Sequence, residues 1–271
     1  MSLLNAAFAG NLARVQELLA AGANVNAAED GATPLFVASV LGHTSVVDAL
    51  IAAGANVNTT KDNGATPLFV ASQNGHKSIV AALIRAGANL NAAMTDGATP
   101  LYIASQKGHT SVVDALIAAG ANVNTTAFHG GTPLFVASQK GHKSIVAALI
   151  TAGANLNAAM TDGATPLFIA SQAGHTSVVV SLLSAGADIR SPNFKRKSIF
   201  QHANEGRFAP EINELIIDEM YAANEPLSEE NAAVRNVVRA VRFPWEKPSR
   251  RARRGTRRLR RTRRLRRSRR S

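Results

Sequence analysis

Five histidines recur at a single interval, His43, His76, His109, His142 and His175, each thirty-three residues after the one before. Imidazole is the side chain that metal sites, general bases and proton relays draw on. An interval this long puts equivalent side chains on successive stacked units. Stacked helices lie roughly 8 to 10 Å apart, whereas zinc needs its ligands at about 2 Å, so neighbouring copies cannot share an ion. Each histidine is therefore expected to be structural, bonding a loop backbone group. Glu211, Glu214 and Asp218 form the other titratable row, but three- and four-residue spacing on one helix face describes a solvated surface. No GxSxG elbow, HExxH pair or GxxxxGK phosphate loop occurs. The residues argue against an enzyme and call for no cofactor.

A second chemistry sits at the other end of the chain. Residues 1–234 hold 12 Lys and Arg against 17 Asp and Glu, a net charge of −5, while residues 235–271 hold 18 against 1, a net of +17. From Pro248 the arginines come in pairs: Arg250 and Arg251, Arg253 and Arg254, Arg257 and Arg258, Arg260 and Arg261, Arg263 and Arg264, Arg266 and Arg267, Arg269 and Arg270. Such density repels itself and is expected to stay disordered without an anionic partner. The guanidinium fork binds phosphate, so the run suits nonspecific contact with nucleic acid or an anionic membrane surface, or a nuclear import signal. No aromatic residue interleaves the arginines, which argues against reading single-stranded bases. Ser268 in RRLRRS lies in the basic context some kinases favour. The same RRx triplets also read as low-complexity sequence with no selected role.

The elements between these two regions follow from a repeated phrase. GATPLFVASQNGH at residues 64–76 recurs so that Pro34, Pro67, Pro100, Pro133 and Pro166 stand thirty-three residues apart, the mark of a repeat array. Thr66 caps a helix whose first position Pro67 suits, and PLFVASQN follows until Gly75 stops it. A second helix starts near Lys77 and Ser78, with Ile79, Val80, Leu83 and Ile84 on one stripe, and Gly87 ends it. Asp96 and Gly97 then make a tight turn between two short extended segments. The unit is helix, turn, helix and projecting finger.

These residues resemble the ankyrin repeat, through TPLFVA, TPLYIA and TPLFIA, through GHTSVV and GHKSIV, and through GANVN, GANLN and GADI. The resemblance covers most of the chain and implies an all-α solenoid of stacked helix-turn-helix units with β-turn finger loops, ending here in a disordered basic tail. One departure is systematic: where the family usually has histidine after TPL, this chain has Phe36, Phe69, Tyr102, Phe135 and Phe168. A buried ring contributes roughly 1.5 to 3 kcal/mol against roughly 0.5 to 1.5 for a hydrogen bond, so an aromatic stack can replace a polar one. Core packing and a ligand-facing aromatic strip are both open for these rings.

The array is expected to span residues 1–222. Residues 1–30 match the second half of a unit and expose Asn11, Arg14, Gln16 and Glu17, as an N-terminal cap does. Full repeats occupy about 31–190. Residues 191–222 form a degenerate cap with Phe194, Ile199, Phe200, Phe208, Ile212, Leu215 and Ile216 as apolar contacts. Caps matter because interior repeats bury their faces only against neighbours. Residues 223–247 read as a linker and an amphipathic helix, with Ser228 as cap, Val234, Val237, Val238 and Val241 on one face and Arg235, Arg239 and Arg242 on the other. Residues 248–271 are the tail.

The resemblance also implies a noncatalytic interaction scaffold with a protein partner along a concave face of fingers and first helices. The matching finger positions are Lys61, Asp62, Asn63, Met94, Thr95, Phe128, His129, Met160 and Thr161, and the matching helix positions Gln73, Asn74, Gln106, Lys107, Gln139 and Lys140. Comparing copies shows what was duplicated. Residues 42–60 equal 108–126, and residues 75–101 differ from 141–167 only at Arg85 against Thr151, so the duplicated block is sixty-six residues. Its main divergence is one finger, where KDNGA at 61–65 becomes AFHGG at 127–131. Phe128 and His129 are there as an interface anchor, or by drift or packing against an adjacent finger. Nucleic-acid binding led by the tail, with the repeats recruiting a protein, is the competing reading. The chain has no cysteine, no basic leader followed by an apolar run, and no stretch near the roughly 18 apolar residues of a membrane span. A soluble monomer in a reducing compartment, cytoplasmic or nuclear, is expected.

Overall fold

The computed structural model describes residues 2–190 and 198–224. Residues Met1–Glu219 form one compact unit, and of the second, Met220–Ser271, only the end of the last helix is described. The architecture is helical. The helices are α1 (Leu3–Phe8), α2 (Leu12–Ala20), α3 (Pro34–Leu41), α4 (Thr44–Ala52), α5 (Pro67–Gln73), α6 (Lys77–Arg85), α7 (Pro100–Lys107), α8 (Thr110–Ala118), α9 (Pro133–Lys140), α10 (Lys143–Thr151), α11 (Pro166–Gln172), α12 (Thr176–Ala185), α13 (Ile199–Asn204) and α14 (Pro210–Asn224). Each of α3, α5, α7, α9 and α11 opens with proline, and the threonine before it accepts the amide of the third helical residue at 3.1 to 3.2 Å. That bond satisfies one of the free amides of the first turn.

Odd helices α1 to α11 pack in sequence as one row and even helices α2 to α12 as a second. The core lies between the rows. Leu35, Leu68, Leu101, Leu134 and Leu167, the leucines of the TPL phrase, are buried, as are Val46, Ile79, Val112, Ile145 and Val178 of the second helices. Ile199, Ile212 and Ile216 are buried in α13 and α14. The Phe168 ring meets His202 at 5.3 Å and Phe208 at 6.0 Å, both edge to face, which seats α13 against α11.

Two ladders tie each repeat to the next. Every recurring histidine donates its Nε2–H to a carbonyl thirty-five or thirty-six residues earlier: His43 to Phe8, His76 to Val40, His109 to Gln73, His142 to Gln106 and His175 to Gln139, at 3.0 to 3.3 Å. These acceptors belong to the last turn of the preceding first helix rather than to a loop, because the carbonyls there have no partner within their own helix. The second ladder runs through the asparagines. Asn26, Asn58, Asn91, Asn124 and Asn157 each accept, through Oδ1, the backbone amide of Asn56, Asn89, Asn122, Asn155 and Asp188 in the next repeat, at 2.8 to 2.9 Å.

The fingers carry no strand among the described residues; one bridge joins Glu29 and Ala32, and the turns close on bonds such as Gly97 N–H to the Met94 carbonyl at 2.9 Å. Finger segments this short, closed on themselves by glycine turns, leave no run of backbone to pair. The boundary expected at residue 222 falls inside α14, since no proline interrupts the helix before Pro226. Phe194, residues 225–247 and the tail 248–271 lie outside the described residues.

Candidate functional site

The finger side of the first-helix row bears a groove of about 520 Å³ between α3, α5 and α7. Its floor and walls are apolar, from Phe36, Phe69, Val70, Met94, Tyr102 and Ile103. Lys61, Asn63 and Asp96 rim it from the fingers, and Gln73 and Gln106 reach in from the ends of α5 and α7. The Lys61 ammonium stands 5.8 Å from the centre of the Phe36 ring, a cation over an aromatic face. Asp96 holds its own turn, accepting the Ala98 amide at 2.9 Å, as Asn63 accepts that of Ala65 at 3.1 Å. The Tyr102 hydroxyl is raised above its usual pKa, first by burial and then by the nearby Asp96 carboxylate, so it is a neutral hydrogen-bonding group at neutral pH.

The aromatic row alternates in depth. Phe69 and Phe135 are each only 4 % exposed and serve as core, whereas Phe36, Tyr102 and Phe168 are half-buried. The alternation has the sixty-six-residue period of the duplication.

Of the fifteen finger and helix positions singled out from the sequence, Lys61, Asn63, Gln73, Met94 and Gln106 line this groove. Asp62 and Thr95 are exposed on the adjoining turns, and Lys107 is exposed at the end of α7. Asn74 is exposed too, with its amide donating to the Val40 carbonyl at 3.1 Å. Gln139, Lys140 and Thr161 are exposed and Met160 half-buried on the following repeats, beyond this groove. The divergent finger is a short 3-10 turn, Phe128–Gly130, in which His129 adopts a left-handed backbone at φ +57°. Phe128 is 67 % exposed, and its ring centre lies 3.9 Å from that of His129. The fingers are joined in alternate pairs, Thr95 N–H to the Asn63 carbonyl and Thr161 N–H to the His129 carbonyl, both at 2.9 Å.

Of the groove lining, the sequence marks Asp96 only as a turn former and assigns no surface role to Val70 and Ile103. The finger-side position of Asp96, two residues after Met94, was the available signal. The tail arginines Arg250, Arg251, Arg253, Arg254, Arg257, Arg258, Arg260, Arg261, Arg263, Arg264, Arg266, Arg267, Arg269 and Arg270 lie outside the described residues. Among the described residues no three histidine, aspartate or glutamate side chains gather as a metal site, and no helix is long and apolar enough to cross a membrane.

The stacked helix pairs, the fingers and the groove beside them define a repeat-built interaction module, and comparison places it. The family model described as ankyrin repeats in three copies matches residues 2–61, 45–127 and 126–193, so the chain belongs to the ankyrin-repeat family. Among solved structures it is similar to the crystal structure of the human ASB11 ankyrin repeat domain, with 28 % identity and a TM-score of 0.70, over 84 % of this chain and 100 % of that one. No curated protein matches. Repeats of this family form protein–protein interaction modules and are in general noncatalytic scaffolds.

Proposed function

We propose that the chain is a noncatalytic scaffold that holds a protein partner along the face formed by the fingers and first helices. The basic tail adds an anionic contact or an import address, and the chain acts as a monomer in the cytoplasm or nucleus. The groove beside Phe36, Met94 and Tyr102 carries this reading: it combines half-buried aromatic walls, which supply area, with a polar rim that fixes orientation, the division of labour of interaction hot spots. Phe128 and His129 extend the same face as an exposed aromatic anchor.

The second reading puts nucleic acid first, and the charge of +17 on residues 235–271 favours it. Titrating salt while the full chain is bound to a random-sequence DNA duplex separates the two. Phosphate binding by arginines weakens with a log–log slope of about −0.9 per neutralised phosphate. Deleting residues 248–271 abolishes that retention if the tail provides it; retention unchanged by the deletion refutes a role for the tail. Replacing Phe128 and His129 by alanine weakens partner binding and leaves DNA retention untouched.

A further inference from the structure

The groove does not stand alone. Shifting its lining by the sixty-six residues of the duplication carries Phe69, Gln73, Met94, Asp96, Ile103 and Gln106 onto Phe135, Gln139, Met160, Asp162, Ile169 and Gln172, every one the same residue type. The second set is assembled in space as the first is. Met160, Phe168, Ile169 and Tyr102 pack around Phe135, Val136 and Ala164, as Met94, Tyr102 and Phe36 pack around Phe69, Val70 and Ala98. Tyr102 belongs to both clusters and is the wall between them. Gln139, Asp162 and Gln172 are exposed above the second cluster.

We propose that the array presents two tandem subsites for one extended peptide segment, with a large apolar side chain of that segment seated in each. The proposal rests on the reading of the groove as the partner-binding surface and gives the partner's chemistry. The glutamines set the conformation of the occupant. Gln73, Gln106, Gln139 and Gln172 place an amide at the end of each successive first helix, and an amide both donates and accepts. An extended chain has free peptide groups to meet that row, while a helical ligand has already used its own. Spacing follows from the stack. Two helix-packing steps of roughly 8 to 10 Å, at about 3.1 to 3.4 Å per extended residue, separate the two anchors by about five to six residues.

The two subsites differ in charge, which sets the polarity of the peptide. Lys61 and Asp96 both rim the first, but the position matching Lys61 in the second is Ala127, so of that pair only the carboxylate, Asp162, is kept. A lysine or arginine beside the second anchor fits this difference.

The test selects peptides from a random library displayed on phage, on the full chain, and measures the enriched sequences by fluorescence anisotropy. Variants Gln73→Arg and Gln139→Arg block one subsite each from exposed or half-exposed helix-end positions, where arginine is a good helix former. Asp162→Asn removes the charge and keeps the turn, because Asn63 makes the same bond to the amide two residues on. Circular dichroism verifies that each variant is folded. The expected result is enrichment of two large apolar residues about five to six positions apart with a flanking basic residue. Each arginine substitution then weakens binding at least tenfold, a peptide with one anchor binds about a hundredfold more weakly, and Asp162→Asn weakens only peptides carrying the basic residue. Single-anchor peptides sensitive to one arginine substitution alone overturn the pairing and leave the groove reading standing. Peptides indifferent to both substitutions, or no enrichment, overturn the groove reading as well.

Discussion

Substituting Gly75 by alanine tests what holds one repeat to the next. Gly75 has φ +75°, and a Cβ there would lie 2.6 Å from Nδ1 and 2.8 Å from Cε1 of His109, in the following repeat. Gly10, Gly42, Gly108 and Gly141 meet the next histidine at 2.7 to 2.8 Å in the same way. Gly174 occupies the same place in the last full repeat at φ +76°, yet among the described residues nothing lies within 4 Å of its Cβ position. Gly174→Ala therefore carries only the left-handed backbone penalty, about 1 to 2 kcal/mol. Gly75→Ala carries that penalty and must also displace the His109 ring. Displacement breaks the 3.0 Å bond to the Gln73 carbonyl, worth about 0.5 to 1.5 kcal/mol, and adds an overpacking term of about 1 to 3 kcal/mol. The expected excess of Gly75→Ala over Gly174→Ala is about 2 to 4 kcal/mol. It is read as the difference in urea unfolding free energy followed by circular dichroism. Because solenoids couple only through neighbours, the middle substitution should also broaden the transition. In a His109→Ala background the Gly75→Ala penalty should fall to the backbone part alone. Equal destabilisation by the two glycine substitutions, or a Gly75 penalty that survives removal of the His109 ring, refutes the interlock.

Asn58 accepts the Asn89 amide and donates to the Gly87 carbonyl at 3.3 Å, so Asn58→Ala should destabilise by about 1 to 2 kcal/mol and speed hydrogen exchange at Asn89, whereas Asn58→Asp keeps the acceptor and should lose less. Thr99→Ala removes the buried cap of α7 and should lower stability by about 1 kcal/mol in urea unfolding, while Thr99→Ser restores it. Tyr102 has a folded-state pKa above its unfolded value, so its contribution is fully present below about pH 10 and is lost as pH rises through the folded pKa. Tyr102→Phe should remove that alkaline slope from unfolding free energies, and Asp96→Asn should reduce it in part. An alkaline slope unchanged in Tyr102→Phe would assign it to another group.

Most of the array was legible because its signals are local. Threonine, proline and glycine act within a few residues of themselves, so Thr66, Pro67 and Gly75 mark helix boundaries whatever surrounds them. What the sequence concealed are second duties that arise between repeats. Gly75 reads as a helix stop, and it is one, but its missing side chain also makes room for His109 thirty-four residues on. Asn58 reads as part of a closing phrase, while its amide spans two repeats. From sequence the histidines are expected to bond a loop; only the stacking register shows that helix-end carbonyls of the preceding repeat are their partners.

The candidate site was half legible for a related reason. A residue's place on the finger or first helix follows from its position in the period, which is enough to find Lys61, Gln73, Met94 and Gln106. Its depth does not follow, because depth depends on which neighbour leans over it. Phe69 and Tyr102 occupy the same position in successive repeats and both line the groove, yet one is buried and the other half-buried. The two flanking fingers differ as well, KDNGA before Phe69 and MTDGA before Tyr102, and alternate fingers are bonded in pairs. The structural period is therefore sixty-six residues where the helical signature repeats at thirty-three. Ring burial and finger pairing follow the longer period, so a substitution that converts one finger of a pair to the sequence of its neighbour should alter ring exposure in the groove without changing any helix boundary.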